Sequence, residues 1–452
     1  MRVAIVGAGV TGLVTAFELT RASNDIECIV VESAPYVGGN VVTLRIDGSV
    51  FDAGPDAVPT HRPEAMELCK DLGLMDRLEP LGEHATRILI ARGNKVTELP
   101  DGLVHGLPRS LGALARTPLL TLRGRARALL DLVLPHHAAR AQSVGALSRF
   151  RLGREVTDYL VEPMVGGILS GDIDTLDASV ATPVWAGARR SLIGASARAP
   201  APAGPICVSP REGMRELVSA LALRIGAARI VTGAPVQSVR WLQGSWQVET
   251  TQGEIAVADA VVIATPARAA SRMLEATDTV LSARLAELKT GSIASVLLAF
   301  DDARSFPAAG SLFLPRIERR ATFAASWLTA RWPWRAPKTM AIVRAYVGGA
   351  RAPDLLARAS DARLVALVLS DLDLYFHPPE PRWSHVTRFE EAVPLQEVGH
   401  TERIRGIRAR AARWPGLLLA GGAYGAGVGL ASCVAEGRRA ARAIIETGRD
   451  QG

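Results

Sequence analysis

The residues with the clearest chemical purpose are the glycines of Gly7-Ala8-Gly9-Val10-Thr11-Gly12. The apolar run Val3-Ala4-Ile5-Val6 precedes them, and Leu13, Phe17 and Leu19 follow at positions suited to a helix. The predicted order is strand, glycine turn, helix, the unit that binds a dinucleotide pyrophosphate. Gly7 permits the tight turn, Gly9 admits the pyrophosphate to the backbone, and Gly12 lets helix and strand approach closely. The first helical turn, around Thr11, offers unpaired N–H groups and the positive end of the helix dipole to the phosphates. A second predicted strand, Ile29-Val30-Val31, ends at Glu32. A carboxylate there takes ribose hydroxyls and disfavours a 2′-phosphate, so NADP is not expected.

Few other residues invite chemistry. Cys28, Cys69, Cys207 and Cys433 lie far apart, without C-x-x-C or Cys/His spacing, so neither zinc nor an iron–sulfur cluster is indicated. Buried, reduced thiols in a cytoplasmic protein are the expectation. No Ser/His/Asp set or paired carboxylates stand out, and no catalytic acid or base is assigned. His400 reads as a structural histidine that satisfies loop carbonyls rather than as a base. The net charge of +7 suits an anionic ligand or surface. The basic residues are dispersed, with no Lys/Arg block interleaved with aromatics, which argues against nucleic-acid binding.

These residues need a large scaffold. The 452 residues, 48% hydrophobic and 21% charged, suit two or three globular domains. The nucleotide-binding domain is expected to be discontinuous, over 1–82, 205–265 and 401–452. Within it, Met214 to Ile225 reads as a helix, Trp246–Thr250 and Glu254–Ala258 as a hairpin, and Ala260–Ala264 as a strand. Gly416 to Ala435 carries no charge but has six glycines. It reads as a buried strand over Leu417–Ala420, a loop, and a helix from Ala431 to Thr447, rather than as a membrane span. The first strand begins at residue 3, which leaves no room for a signal peptide ahead of it. Residues 83–204 change character. Ile88 to Leu99 alternates as strands do, and Leu107 to Leu134 reads as one or two basic, Leu-rich helices broken near Thr117-Pro118. Such helices suit a membrane interface or an ordinary helical subdomain with solvated arginines. Ala197 to Pro205 is a short Pro/Ala-rich connector. Residues 266–400 read as a second domain floored by a sheet, with strands over Ser295–Phe300 and Met340–Val347.

Beyond Glu32 the chain continues with Gly38-Gly39 and Thr43. This extension resembles the start of the flavin monoamine oxidase and phytoene desaturase superfamily, whose cofactor is FAD. Later segments narrow the resemblance. They are Phe51-Asp52-Ala53-Gly54-Pro55-Asp56, Val161 to Asp172, Glu212-Gly213-Met214 with Leu217, Arg344 to Arg351, Gly399-His400, and Leu419 to Arg438. Their shared order, along nearly the whole chain, resembles the oxygen-dependent protoporphyrinogen and coproporphyrinogen oxidases.

That resemblance implies an α/β fold with α+β parts: a Rossmann-type FAD-binding domain, a sheet-floored substrate domain and a helical membrane-associated subdomain. It implies oxidation of a porphyrinogen, protoporphyrinogen IX being the first expectation and coproporphyrinogen III the alternative. FAD takes the electrons, molecular oxygen reoxidises it, and hydrogen peroxide is released. For FAD it implies contacts at Gly38, Gly39, Gly54 and Pro55, and adenine at the backbone of Val236. Gly421 and Gly422 would meet the ribityl–pyrophosphate region, with Val428, Gly429 and Leu430 at the isoalloxazine edge. For the substrate, Arg62 and Arg344 are candidates to hold propionates, and Ile168 and Leu169 to line the ring cavity. A homodimer and a peripheral contact with the cytoplasmic membrane are also compatible with the resemblance.

The chain departs from that pattern at Asn40, at Ala57-Val58-Pro59 and at Leu430-Ala431-Ser432-Cys433. These departures keep an amine oxidase, a carotenoid desaturase and a non-catalytic flavin-binding relative as competing readings.

Overall fold

The computed structural model describes residues 1–100, 102–134, 142–188, 190–200, 204–425 and 427–449. Positions 201–203 of the Pro/Ala-rich connector therefore lie outside the described residues. A five-stranded parallel sheet organises the cofactor lobe. Its strands run in the spatial order Ile230–Val231, Glu27–Val31, Arg2–Val6, Ala260–Ile263, Leu417–Leu419. Successive side chains on a strand face opposite ways. Val3, Ile5, Val30, Ala260 and Val262 accordingly pack on the helices Val10–Ala22, Arg215–Ile225 and Leu430–Arg449. Ala4, Val6, Val261, Ile263, Leu417 and Leu419 face the other way. They meet a three-stranded antiparallel sheet over residues 236–258 and the helices Ala267–Leu274, Thr279–Ala286 and His400–Ala411. The expected hairpin belongs to that second layer, with Ser245–Thr250 pairing Gly253–Ala258.

A seven-stranded sheet floors the second lobe. Its order is Trp383–Pro394, Thr290–Phe300, Ala341–Gly348, Thr322–Trp327, Ser311–Phe313, Ile88–Arg92, Lys95–Glu98. The last two strands come from the region read as mainly helical. Ile88–Arg92 joins the sheet by running parallel to Ser311–Phe313. One face of the sheet, with Val296, Leu298, Val343 and Val347, packs on the helix Asp361–Phe376 through Leu364, Val368 and Leu372. The opposite face carries Leu297, Ile342 and Phe389 towards Phe51 and Ala53 of the cofactor lobe. Farther along that face, Phe313, Phe323 and Ala324 meet the helical block.

The helical block contains Leu111–Arg116 and Leu122–Leu129, separated at the expected break. Thr121 caps the second helix, its hydroxyl accepting the Gly124 N–H at 3.0 Å. Residues Thr157–Gly166 wind as a π-helix with Pro163 inside. Proline has no N–H for the usual helical ladder, and such widened turns accommodate the missing bond. Among the described residues, no helix is long and apolar enough to cross a membrane.

Candidate cofactor and active site

The glycine turn lies at the carboxyl end of Arg2–Val6. Gly7 has φ +103°, which a side chain rarely permits, and its N–H donates to the Val31 carbonyl at 2.8 Å. A Cβ at Gly12 would lie 1.9 Å from the Gly7 carbonyl oxygen, so helix and turn touch backbone to backbone. A Cβ at Gly9 would meet nothing within 4 Å. Space is therefore open at the position where a pyrophosphate approaches the turn. No side chain caps the helix Val10–Ala22, and no acid occupies its first turn. Its leading N–H groups are left for an anion. These features fit a dinucleotide.

Glu32 sits beside this turn. Its carboxylate accepts the Ala8 N–H at 2.7 Å, the Ala34 N–H at 2.9 Å and the Ser33 hydroxyl at 3.0 Å. A carboxylate offers about four acceptor sites, so capacity remains for a ribose hydroxyl. The Glu32 carbonyl accepts the Ala234 N–H at 2.9 Å, which brings Val236 and its strand close to the same edge.

Further glycines continue the trough. The Gly38 N–H donates to the Ala8 carbonyl at 2.8 Å, and a Cβ on Gly39 would come within 3.2 Å of Gly9 Cα. A Cβ on Gly54 would lie 2.0 Å from the Asn40 carbonyl oxygen, so Gly54-Pro55 leans on the segment that follows Gly38-Gly39. Gly421 and Gly422 follow the strand Leu417–Leu419, and Gly429 precedes the helix Leu430–Arg449. That helix packs against Val10–Ala22: the Thr15 hydroxyl reaches both the Thr11 carbonyl, at 2.9 Å, and the Gly437 carbonyl, at 3.3 Å. The first turns of the two helices are neighbours.

The loop between Gly421 and Gly429 is pinned from below. The Gly425 carbonyl accepts Gln396 Nε2 at 3.2 Å and lies 3.3 Å from His400 Nε2. Arg408 donates to the Tyr424 carbonyl at 2.7 Å, and the Tyr424 hydroxyl donates to the Thr265 carbonyl at 3.1 Å. His400 is buried, and that burial lowers its pKa, opposed by the Gly425 bond. It serves the loop carbonyl, as expected of a structural histidine. Gln396 shares this task, and nothing local in the sequence marked it. Position 426 lies outside the described residues.

The four residues chosen for the substrate do not converge as expected. Arg344 is 4% exposed; its Nη1 donates to the carbonyls of Asp52 and Gly54 at 2.7 and 2.8 Å, and its Nη2 lies 3.2 Å from Asp56. Both terminal nitrogens are taken, so the anticipated propionate contact gives way to a role in holding the Gly54-Pro55 turn. Arg62 precedes the helix Pro63–Asp71 and pairs with Glu64 at 3.5 Å. Ile168 is 62% exposed, whereas Leu169 is half-buried against the helical core. The turn that follows them docks on the sheet, the Ser170 carbonyl accepting the Ala350 N–H at 3.0 Å. From that end of Ala341–Gly348, Tyr346 and Arg344 point to the same face. Tyr346 stacks on Phe323 at 6.0 Å, and the Arg344 guanidinium lies 5.2 Å from the Tyr346 ring centre. An aromatic floor therefore links the helical block to the segment beside the trough.

A glycine trough at the carboxyl edge of a parallel sheet, two adjoining helix N-termini and a second lobe floored by a sheet define a dinucleotide-binding oxidoreductase of the flavoprotein class. The chain belongs to the flavin containing amine oxidoreductase family, whose profile matches residues 10–445. Its cofactor is FAD. The chain is 31% identical to the coproporphyrinogen III oxidase of Bacillus subtilis (strain 168), over 97% of this chain and 96% of that protein. It is 26% identical to the chloroplastic protoporphyrinogen oxidase of Nicotiana tabacum, over 95% and 83%. A crystal structure from Exiguobacterium sp. 255-15, provisionally named a protoporphyrinogen oxidase, superposes with a TM-score of 0.87 at 27% identity, covering 98% of both chains.

Proposed function

We propose that the chain oxidises a porphyrinogen to a porphyrin, with FAD as the immediate acceptor and molecular oxygen as the final one. Bound FAD supplies a two-electron acceptor. The chain's own residues bind and orient. Gly9 and the first turn of Val10–Ala22 receive the pyrophosphate, Glu32 a ribose, and Val236 the adenine. Gly54, Pro55, Gly429 and Leu430 lie along the flavin. Tyr346, half-buried and backed by the buried Phe323, gives a flat apolar ring an aromatic edge to meet, with Ile168 and Leu169 at its margin. No side chain is assigned as acid or base.

The observation that carries this reading is the end-to-end similarity to the Bacillus subtilis coproporphyrinogen III oxidase. It favours coproporphyrinogen III as substrate. Protoporphyrinogen IX, the first expectation from the sequence, keeps a structural argument of its own. Arg344 and Arg62, the cations expected to hold propionates, are already engaged, and protoporphyrinogen has fewer propionates to satisfy. Anaerobic mixing with each porphyrinogen tests both readings. The true substrate should bleach the flavin band, and in air it should give porphyrin fluorescence with about three peroxides per ring. A flavin bleached by an amine or a polyene, and by neither porphyrinogen, would overturn the assignment while leaving the family intact.

The helical block supports a second proposal, peripheral contact with a membrane. Leu111, Leu122, Leu129, Leu130, Leu132 and Val133 are exposed on and beside the two basic helices. Such an apolar surface on a basic element suits a lipid interface.

A further inference from the structure

The Gly54-Pro55 turn is bracketed by Asp52 and Asp56, and three arginines from the second lobe converge on them. Arg335 Nη1 donates to Asp52 at 2.8 Å, and Arg331 Nε donates to Asp56 at 3.0 Å. Arg344 reaches Asp56 and the carbonyls of Asp52 and Gly54, as described above. Neutral donors complete the shell: Trp332 Nε1 to Asp56 at 3.0 Å, and Thr43 Oγ1 and the Met214 N–H to Asp52 at 2.5 and 3.0 Å. Asp52, Asp56, Arg335 and Arg344 are all buried.

The charges do not cancel, because three guanidiniums face two carboxylates. Nε of Arg335 and Nε of Arg344 are buried without a hydrogen-bond partner among the described residues. Aromatic faces offset part of the surplus, with Arg335 5.2 Å from the Trp332 ring centre and Arg344 at the same distance from Tyr346. Burial pushes the Asp52 carboxyl up, and the Arg335 guanidinium beside it pulls the other way. A buried, uncompensated cation is costly unless an anion comes to it. The bonds of Arg344 to the Asp52 and Gly54 carbonyls bring the cluster to the Gly54-Pro55 turn, and the close approach of Gly54 to Asn40 carries it on to Gly38-Gly39.

We propose that Asp52, Asp56, Arg331, Arg335 and Arg344 form a fixed cationic support that positions the Gly54-Pro55 turn and favours the reduced, more anionic flavin over the oxidised one. This rests on the reading that the turn lies beside the flavin. The arginines are positioning residues whose surplus charge acts on the cofactor through space.

The test is the midpoint potential of the FAD-loaded protein, measured by dye-coupled reduction, with FAD affinity and thermal midpoint followed in parallel. Arg344→Gln removes one positive charge. It should weaken the preference for reduced over oxidised FAD about tenfold, a potential about 30 mV more negative. Asp56→Asn removes one negative charge and should move the potential the opposite way by a similar amount. Arg331, the least buried of the three arginines, supplies the same measurement through Arg331→Gln should the buried variants not fold. A purely structural role predicts lower thermal midpoints with potentials unmoved, or moved in one direction by both kinds of variant. Either result overturns the proposal. Pro55→Ala separates this from the placement of the turn. An unchanged flavin spectrum and FAD affinity in that variant would remove the placement itself. A changed spectrum there, with unmoved potentials in the charge variants, would remove the electrostatic role alone.

Discussion

A methyl group added at Gly12 would lie 1.9 Å from the Gly7 carbonyl oxygen, whereas one added at Gly9 would meet nothing within 4 Å. The backbone at Gly9, with φ −68° and ψ 176°, suits any residue. The two glycines therefore serve different ends, Gly12 the fold and Gly9 the ligand. Gly9→Val should give a folded protein that retains no FAD and melts with the FAD-stripped wild type. Gly12→Ala should lose stability even without cofactor, by at least ~1–3 kcal/mol, because backbone must move. Flavin absorbance and thermal melts of the purified variants distinguish them, and full FAD content in Gly9→Val would refute the pyrophosphate site. At the same scale, Arg344 shows how position outweighs residue type. A guanidinium suits a carboxylate ligand, yet here it bonds two backbone carbonyls and Asp56.

At the scale of the element, the two basic helices divide their arginines. Arg125 donates to the Thr117 carbonyl at 2.8 Å, and Arg127 to those of Phe150 and Arg151 at 2.6 and 3.0 Å. Arg109 donates to the Pro200 carbonyl at 2.8 Å and also to that of Ala199. These three stitch the block together. Arg116 and Arg123 stay exposed, beside Leu122 at 79% and Val133 at 76% exposure. Lipid contact should consequently depend more on apolar insertion than five arginines would suggest. The protein should sediment with anionic vesicles at low salt, and moderate salt should release only part of it. Leu122→Glu with Val133→Glu should leave most of the protein in the supernatant. Wild-type protein that never sediments would make this face an ordinary surface. A buried pair adds to the block's internal cohesion, Arg151 Nε and Asp131 at 2.5 Å, with Asp131 also accepting the Ser191 hydroxyl and the Ile193 N–H.

At the scale of the whole molecule, short backbone bonds join the helical block to the segment between the strand Trp383–Pro394 and the helix His400–Ala411. The Asp177 N–H donates to the Gln396 carbonyl at 2.9 Å, and the Val398 N–H to that of Thr175 at 2.8 Å. Global stability should also record a half-buried histidine of the helical block. His105 lies edge-on to Trp185, and burial lowers its pKa from 6.5 to about 4. A neutral form favoured by folding means that the unfolded chain binds more protons between those values. Its contribution is complete above about pH 6.5 and is lost as pH falls towards about 4. His105 has φ +51°, a conformation that Asn tolerates, so His105→Asn is a suitable uncharged replacement. From pH 7 to pH 5 the wild type should lose about 2 kcal/mol more than this variant. Denaturant unfolding at both values measures the difference, and equal losses would show that His105 does not titrate in this way.

The order of elements around the cofactor was legible from the sequence alone because it rests on local pattern. Strand, glycine turn and helix at Val3–Leu19, the hairpin at residues 245–258, the break between the two basic helices and the charge-free strand at Leu417–Leu419 each follow from spacing within about 20 residues. Charge partners and sheet neighbours have no such local signature. Arg344 meets Gly54 across 290 positions and Arg335 meets Asp52 across 283, so from the sequence Arg344 read as a propionate ligand and Arg335 as a basic residue without a role. Ile88–Arg92 alternates as a strand must, yet only the fold joined it to Ser311–Phe313. Local sterics and hydrophobic period decide what an element is. Which element it lies against, and so which charges are spent in support and which remain free to meet a ligand, is decided by packing between residues far apart in the chain.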